Sequence, residues 1–411
     1  MCYTGDERYR LKGHKVKTDL QDVVIIGGGP VGSYLAAELA ADGCGVTLLE
    51  SKVQPGGKIC CAGIISPECR RSFGIDESLV LQRARGARIY SPAGQTVELW
   101  RAEEQACVVD RAALDLRLAQ KAMAAGVEYR FGSKVDSIEI NDDGVTARVG
   151  VNDSRREYRA RVAVIASGFG SRLTQMLGLG ATGDYVVGAQ AEVAADIDDI
   201  EVYTGHQVAP GFFGWMVPAA PHRALVGLLV RRKAGQYLEK LRSSLQAQGK
   251  IAANGGQPGY RGITLKPPRR TYGRRLIVVG DAAGQVKPTT GGGIYFGLLS
   301  AQIAARHLQA ALNADDLSPR RLAGYQKEWQ ARLGQEIKIG YWARRFYERL
   351  SDRKLERVFD IIKERRLDEA LVEAEDVSFD WHGKAIIKMA GQRAMSHLSD
   401  IIRLPAWVGR G

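Results

Sequence analysis

One stretch near the start restricts this chain's fold more than any other. Asp22 is followed by the apolar run Val23, Val24, Ile25 and Ile26, which reads as a strand buried on both faces of a parallel sheet. Gly27, Gly28, Gly29, Pro30, Val31 and Gly32 come next and satisfy G-x-G-x-x-G. Helical spacing rich in alanine runs from Pro30 to Ala41, a second apolar strand from Val46 to Leu49, and Glu50 and Ser51 close the unit. Each position has a physical reason. Gly27 permits a tight turn, Gly29 lets the backbone approach a pyrophosphate, and Gly32 lets helix and strand pack closely. The helix that opens at Pro30 and Val31 offers unpaired N–H groups and a partial positive charge to phosphates. Glu50 is placed to accept hydrogen bonds from ribose hydroxyls, with Ser51 beside it. The unit predicts a dinucleotide site on a Rossmann-like sheet, but leaves NAD and FAD open.

A second glycine-bearing junction separates them. Leu276 to Gly280 is again a buried parallel strand, followed by Asp281, Ala282, Ala283 and Gly284, then a loop from Pro288 through Gly291, Gly292 and Gly293 into a helix that opens at Ile294. An NAD site has no need of this element. FAD does, because its ribityl chain and ring system extend past the first turn. Asp281 is placed to accept from ribityl hydroxyls, and the N–H groups after Gly293 to stabilise an anionic reduced flavin.

The remaining elements predict an α/β fold with α+β features. The FAD-binding part is discontinuous, at 21–85, 106–185 and 270–312. An antiparallel β substrate part, at 86–105 and 186–269, is predicted from alternating segments such as Val186–Val193 and Ala224–Val230. Residues 313–411 carry charged helical patterns, and residues 1–20 read as a basic tail.

Composition narrows the setting. Six cysteines (Cys2, Cys44, Cys60, Cys61, Cys69 and Cys107) include no C-x-x-C pair, and the N-terminus lacks the order of a secretory signal. No disulfide framework or metal site is expected, and a reducing, cytoplasmic location is favoured. No segment reads as a membrane span. The net charge of +12 includes six basic residues and no acid between Arg261 and Arg275. This suits an anionic surface or a phosphorylated ligand. No nucleic-acid motif accompanies it. Trp342, Arg344, Arg345, Phe346 and Tyr347 mix aromatics with cations, and suggest a peripheral membrane contact through the helical C-terminal region.

Taken together, these residues resemble the FAD-dependent geranylgeranyl reductase family, of the wider group folded like p-hydroxybenzoate hydroxylase and glutathione reductase. Beyond the two flavin motifs, the resemblance rests on Lys58-Ile59-Cys60 with Gly63, Arg111 opening a helix, the segment Gly168 to Arg172, and Pro210 to Pro218. It implies cofactor contacts from Lys58, Gly63, Arg111 and Gly168, and a thiol beside flavin and substrate. Cys60 occupies that position. Cys61 stands where the family has glycine, so either thiol is a candidate for the catalytic position. It also implies a polyprenyl tunnel lined by Phe212, Phe213, Trp215 and Pro218, with Phe213 replacing a tyrosine of the family motif.

The implied reaction saturates isolated C=C bonds of a geranylgeranyl-type group on a diphosphate, lipid, chlorophyll or quinone. Ser167 precedes Gly168 where related flavoproteins carry an acid associated with NADPH handling, which leaves NAD(P)H and a reduced ferredoxin both open as donor. Three other readings use related folds: an aromatic monooxygenase, a flavin halogenase suggested by Trp215-Met216-Val217-Pro218, and a non-enzymatic prenyl-binding protein of the GDP-dissociation-inhibitor type.

Overall fold

The computed structural model describes residues 20–57, 59–151, 154–180, 183–252, 255–373, 378–383 and 386. Residues 1–19 of the basic tail, Lys58 and the end of the chain from 387 lie outside these residues.

The first strand, Gln21–Ile26, is central in an eight-stranded sheet. It is flanked in parallel by Val46–Leu49 and by the C-terminal half of the long strand Ser154–Ile165. Leu276–Val278 adds in parallel beside Ala163–Ile165. The apolar runs are continuous because both faces of this sheet are covered: Val23, Val24 and Ile25 are essentially inaccessible. On one face lie the helices Pro30–Ala41, Arg111–Ala124 and Ile294–Asn313. The N-terminal half of Ser154–Ile165 pairs antiparallel with Val145–Val151, and so belongs to a hairpin layer as well.

A second sheet has seven strands. Tyr185–Ala194, Arg223–Val230, Phe213–Ala220 and Ile200–Thr204 form an antiparallel run. Gly86–Tyr90 joins Ile200–Thr204 in parallel, and Gly259–Thr264 forms the opposite edge. Helix Ala234–Ala247 covers its outer face with Leu238, Leu241 and Leu245. A small three-stranded sheet, built on Ala106–Val109, comprises the third layer.

The chain continues through helices Pro319–Trp329, Gln335–Tyr347, Asp352–Glu364 and Leu367–Glu373. Here part of the aromatic and basic stretch turns inward, while Arg345 stays exposed. Arg344 is buried with its guanidinium over the Phe212 ring, and the Tyr347 hydroxyl donates to the Phe212 carbonyl at 3.0 Å. Both are committed to the protein interior. Among the described residues, no helix is long and apolar enough to cross a membrane.

Candidate active site

The glycine turn is held by contacts that are remote in sequence. Gly27 has φ +107°, and a Cβ there would lie 2.5 Å from the Ala166 carbonyl oxygen, so no other residue fits. At Gly32 a Cβ would meet the Gly27 carbonyl oxygen at 2.0 Å. Gly29 differs from both, because its missing Cβ would point into open space. The Tyr129 hydroxyl lies 2.9 Å from the Gly28 carbonyl and 3.0 Å from the Ser33 hydroxyl, which fixes the turn from behind. Glu50 accepts from the N–H of Gly28 at 2.6 Å, the N–H of Lys52 at 2.8 Å and the Ser51 hydroxyl at 3.1 Å.

The second junction closes on the same space. Gly280 has φ +67°, and the Asp281 carboxylate lies so close to Gly293 that a Cβ there would be 2.5 Å from it. The helices beginning at Pro30 and Ile294 both lack a side-chain cap. Their first N–H groups are orphan donors, and both N-termini line one cavity of about 1570 Å³.

That cavity gathers most of the expected residues. Its wall includes Gly27, Gly29, Pro30, Val31, Glu50, Ser51, Cys60, Cys61, Gly63, Arg111, Gly168, Gly280, Asp281, Gly291, Gly292, Gly293, Ile294, Phe213 and Trp215. Gly32 and Pro288 are set back from it. Gly32 packs beneath the turn, and Pro288 packs near Gly340 of a C-terminal helix. Lys58 lies outside the described residues. Phe212 and Pro218 are corrections to the expected tunnel wall. Side chains alternate along a strand, so Phe213 and Trp215 share one face of Phe213–Ala220 while Pro218 takes the other. Phe212 is fully buried in the core of the second sheet.

The adjacent thiols differ in surroundings. Cys60 donates to the Gly259 carbonyl at 3.3 Å, on the edge strand. Burial, with Cys61 next to it, pushes its pKa up to about 11, so it stays protonated at neutral pH. Cys61 accepts a long contact from the Arg111 guanidinium at 3.6 Å. Arg111 is buried, pairs with Asp115 at 2.7 Å, and keeps its Nε without a protein partner. Asp281 is met by Arg261 at 2.8 Å, and this carboxylate holds the Arg261 pKa above its usual value.

One stretch of the remaining wall is apolar, beside polar lining such as Arg101, Gln105 and Lys287. Ala84, Ala87, Leu99, Ile200, Val202 and Leu229 line it with Phe213 and Trp215. The Trp215 indole N–H donates to Gln190 at 3.3 Å, and its ring lies across Gly227 on the neighbouring strand. The C-terminal residues Leu371, Phe379, His382 and Ile386 complete this end. Sequence reading missed Tyr129, Gln190, Arg261 and Lys287. Arg261 was visible only as part of a basic run, and nothing local marked the others.

The arrangement fits FAD by its own features. Open space at Gly29, two uncapped helix starts facing one cavity, and a buried guanidinium with an unused N–H suit a long anionic cofactor with a polyol. An NAD-sized ligand would leave the second junction without a role.

The family model for lycopene cyclase protein matches residues 22–375. The digeranylgeranylglycerophospholipid reductase of Methanosarcina acetivorans is 31% identical over 374 residues, covering 85% of this chain and 90% of that one. The enzyme of the same name from Methanocaldococcus jannaschii is 30% identical, covering 84% and 91%. A geranylgeranyl bacteriochlorophyll reductase-like protein from Thermoplasma acidophilum superposes with a TM-score of 0.81 at 25% identity, over 93% of this chain and all of that one. Halogenase PltM with bound FAD reaches 0.67 at 16% identity over 94% and 93%, a likeness of fold alone.

Proposed function

The chain belongs to the family matched by the lycopene cyclase model and, with the digeranylgeranylglycerophospholipid reductases, to the geranylgeranyl reductase family of FAD-dependent oxidoreductases, and we propose that it saturates isolated C=C bonds of a polyprenyl group carried on a lipid. One observation carries this reading: the two flavin-type junctions and the apolar Phe213–Trp215 wall share a single cavity. Bound FAD supplies hydride when reduced.

The residues around it have separable tasks. Glu50, the N–H groups after Gly29 and Arg111 would hold the adenosine diphosphate half, and Asp281 the ribityl chain. Phe213, Trp215, Ile200, Val202 and Leu229 would take the prenyl chain, at roughly 25 cal/mol per Å² of apolar surface buried. They also exclude water, which matters because an unactivated alkene is a poor hydride acceptor and depends on close positioning. Cys60 is a neutral thiol on this wall, and is our candidate to give the proton to the second carbon.

The test is anaerobic incubation of dithionite-reduced protein with prenyl diphosphates, prenylated phospholipids and menaquinones. A gain of two daltons per reduced bond supports the reading. Unchanged prenyl chains across the panel, with FAD bound and reduced, would refute it. For the donor we propose a ferredoxin-type protein over NAD(P)H, because Ser167 replaces the acid expected there and its buried hydroxyl has no protein partner. Stopped-flow flavin bleaching by each donor separates the two. Peripheral membrane contact is also our proposal, supported by the net charge of +12. Sedimentation with anionic vesicles at low salt tests it, and absence of binding removes it.

A further inference from the structure

Lys287 lies in the loop that joins the two halves of the second flavin junction. Its Nζ donates to Asp380 at 2.9 Å and to the Phe379 carbonyl at 3.1 Å. The two charged side chains are only 5% and 2% exposed. The lysine also presses on the glycine loop: a Cβ at Gly292 would lie 3.0 Å from Lys287 Cε and 3.7 Å from Nζ. Lys287 contributes to the cavity wall, whereas Asp380 does not. The cationic partner therefore belongs to the cavity wall and the anionic partner lies behind it.

Neighbouring groups reinforce that polarity. The uncapped N-terminus of Ile294–Asn313 opens on the same wall and contributes partial positive charge. His382 donates its Nε2–H to the Phe379 carbonyl and meets the Thr289 hydroxyl at Nδ1, both at 2.7 Å, and burial with Lys287 nearby lowers its pKa to about 4, so the ring adds no charge. The nearby carboxylates are engaged elsewhere. Glu336 takes the N–H groups of His382 and Gly383, and Asp281 takes Arg261. A buried ion pair is weak evidence for stability, since an apolar pair of similar volume generally serves as well. The orientation of this one toward the cavity calls for another explanation.

We propose that Lys287 is a tuning residue, which holds fixed positive charge against the Gly291–Ile294 wall and shifts bound FAD toward its anionic reduced form. The inference rests on the reading of this cavity as the FAD site.

The experiment uses the FAD-loaded full chain. Bound FAD per protein is counted by absorbance, and the midpoint potential is read against reference dyes during slow anaerobic reduction. The double variant Lys287→Met with Asp380→Leu removes both charges without stranding either one. It is expected to keep a full complement of FAD and to shift the equilibrium toward oxidised flavin by at least about tenfold, roughly 30 mV for a two-electron couple. Asp380→Asn removes only the anionic end and is expected to shift the equilibrium the other way. A wild-type potential in the double variant, or a shift toward oxidised flavin in Asp380→Asn, overturns the role of Lys287. Failure of the wild type itself to take up FAD overturns the cavity reading instead.

Discussion

Gly227 is the most exacting test of how the apolar wall is built. It sits opposite Trp215 in the register of the second sheet, and a Cβ at this position would lie 2.4 Å from Cζ2, 2.6 Å from Cε2 and 2.8 Å from Nε1 of the indole. Ordinary contact begins near 3.4 Å, so in Gly227→Ala the indole edge must move by about 1 Å, the difference between those distances. The displaced edge carries Nε1, whose bond to Gln190 is already long at 3.3 Å. Overpacking of about 1–3 kcal/mol and a lost hydrogen bond of about 0.5–1.5 kcal/mol give an expected destabilisation of about 1.5–4.5 kcal/mol. Thermal melting of the FAD-loaded protein measures it, alongside kcat/KM on a prenyl substrate. Both should fall while FAD affinity holds, because Gly227 does not line the cavity. Trp215→Phe removes the crowded edge and should restore at least half of the lost stability in the double variant. If the two single costs simply add, to within about 0.5 kcal/mol, the clash with the indole is not the cause and the reasoning fails.

Other outcomes follow from the same geometry. Glu50→Gln weakens three hydrogen bonds to a charged acceptor, so FAD affinity should drop about tenfold or more, measured by quenching of flavin fluorescence. Tyr129→Phe removes the contact to the Gly28 carbonyl and should cost about 0.5–1.5 kcal/mol of stability, seen as a lower melting temperature. In a Cys61→Ser background, iodoacetamide labelling of Cys60 should be slow at pH 8 and rise only at a pH above the ordinary thiol range, because burial still holds its pKa up; fast labelling at neutral pH would contradict it. Burial pushes the Glu201 carboxyl up, but Lys250 at 2.8 Å and the Tyr203 hydroxyl outweigh it and leave the pKa below its usual 4.5. A carboxyl depressed by folding contributes stability above its unfolded pKa and loses it as pH falls through the folded one. Glu201→Gln should therefore lessen the fall in melting temperature on acidification below about pH 4.5.

What could be read from the sequence was what depends on neighbours along the chain. The strand Val46–Leu49 and the helix Pro30–Ala41 were placed to the residue, because glycine, proline and an acid punctuate them. The strand facing the cavity was found, but its wall was read too widely. Phe212 and Pro218 share the motif with Trp215 and not its face, and a motif does not state parity. Long-range partners were invisible for a different reason. Tyr129 reaches Gly28 across 101 positions and Lys287 reaches Asp380 across 93, and no local pattern encodes such pairs. Arg261 illustrates the cost: counted within a charged run, it was read only as attraction to an anionic surface or a phosphorylated ligand, although its carboxylate partner lies at the second glycine junction.

The insertion of Leu276–Val278 beside Ala163–Ile165 has a consequence for biosynthesis. The first glycine turn leaves the ribosome early, yet the strand that completes its cradle is made only after the entire second sheet. Until then the Ala163–Ile165 edge is bare and a nascent chain has half a socket. Flavin capture is therefore a late event, and stalled chains ending before residue 276 should emerge colourless and prone to edge-to-edge association.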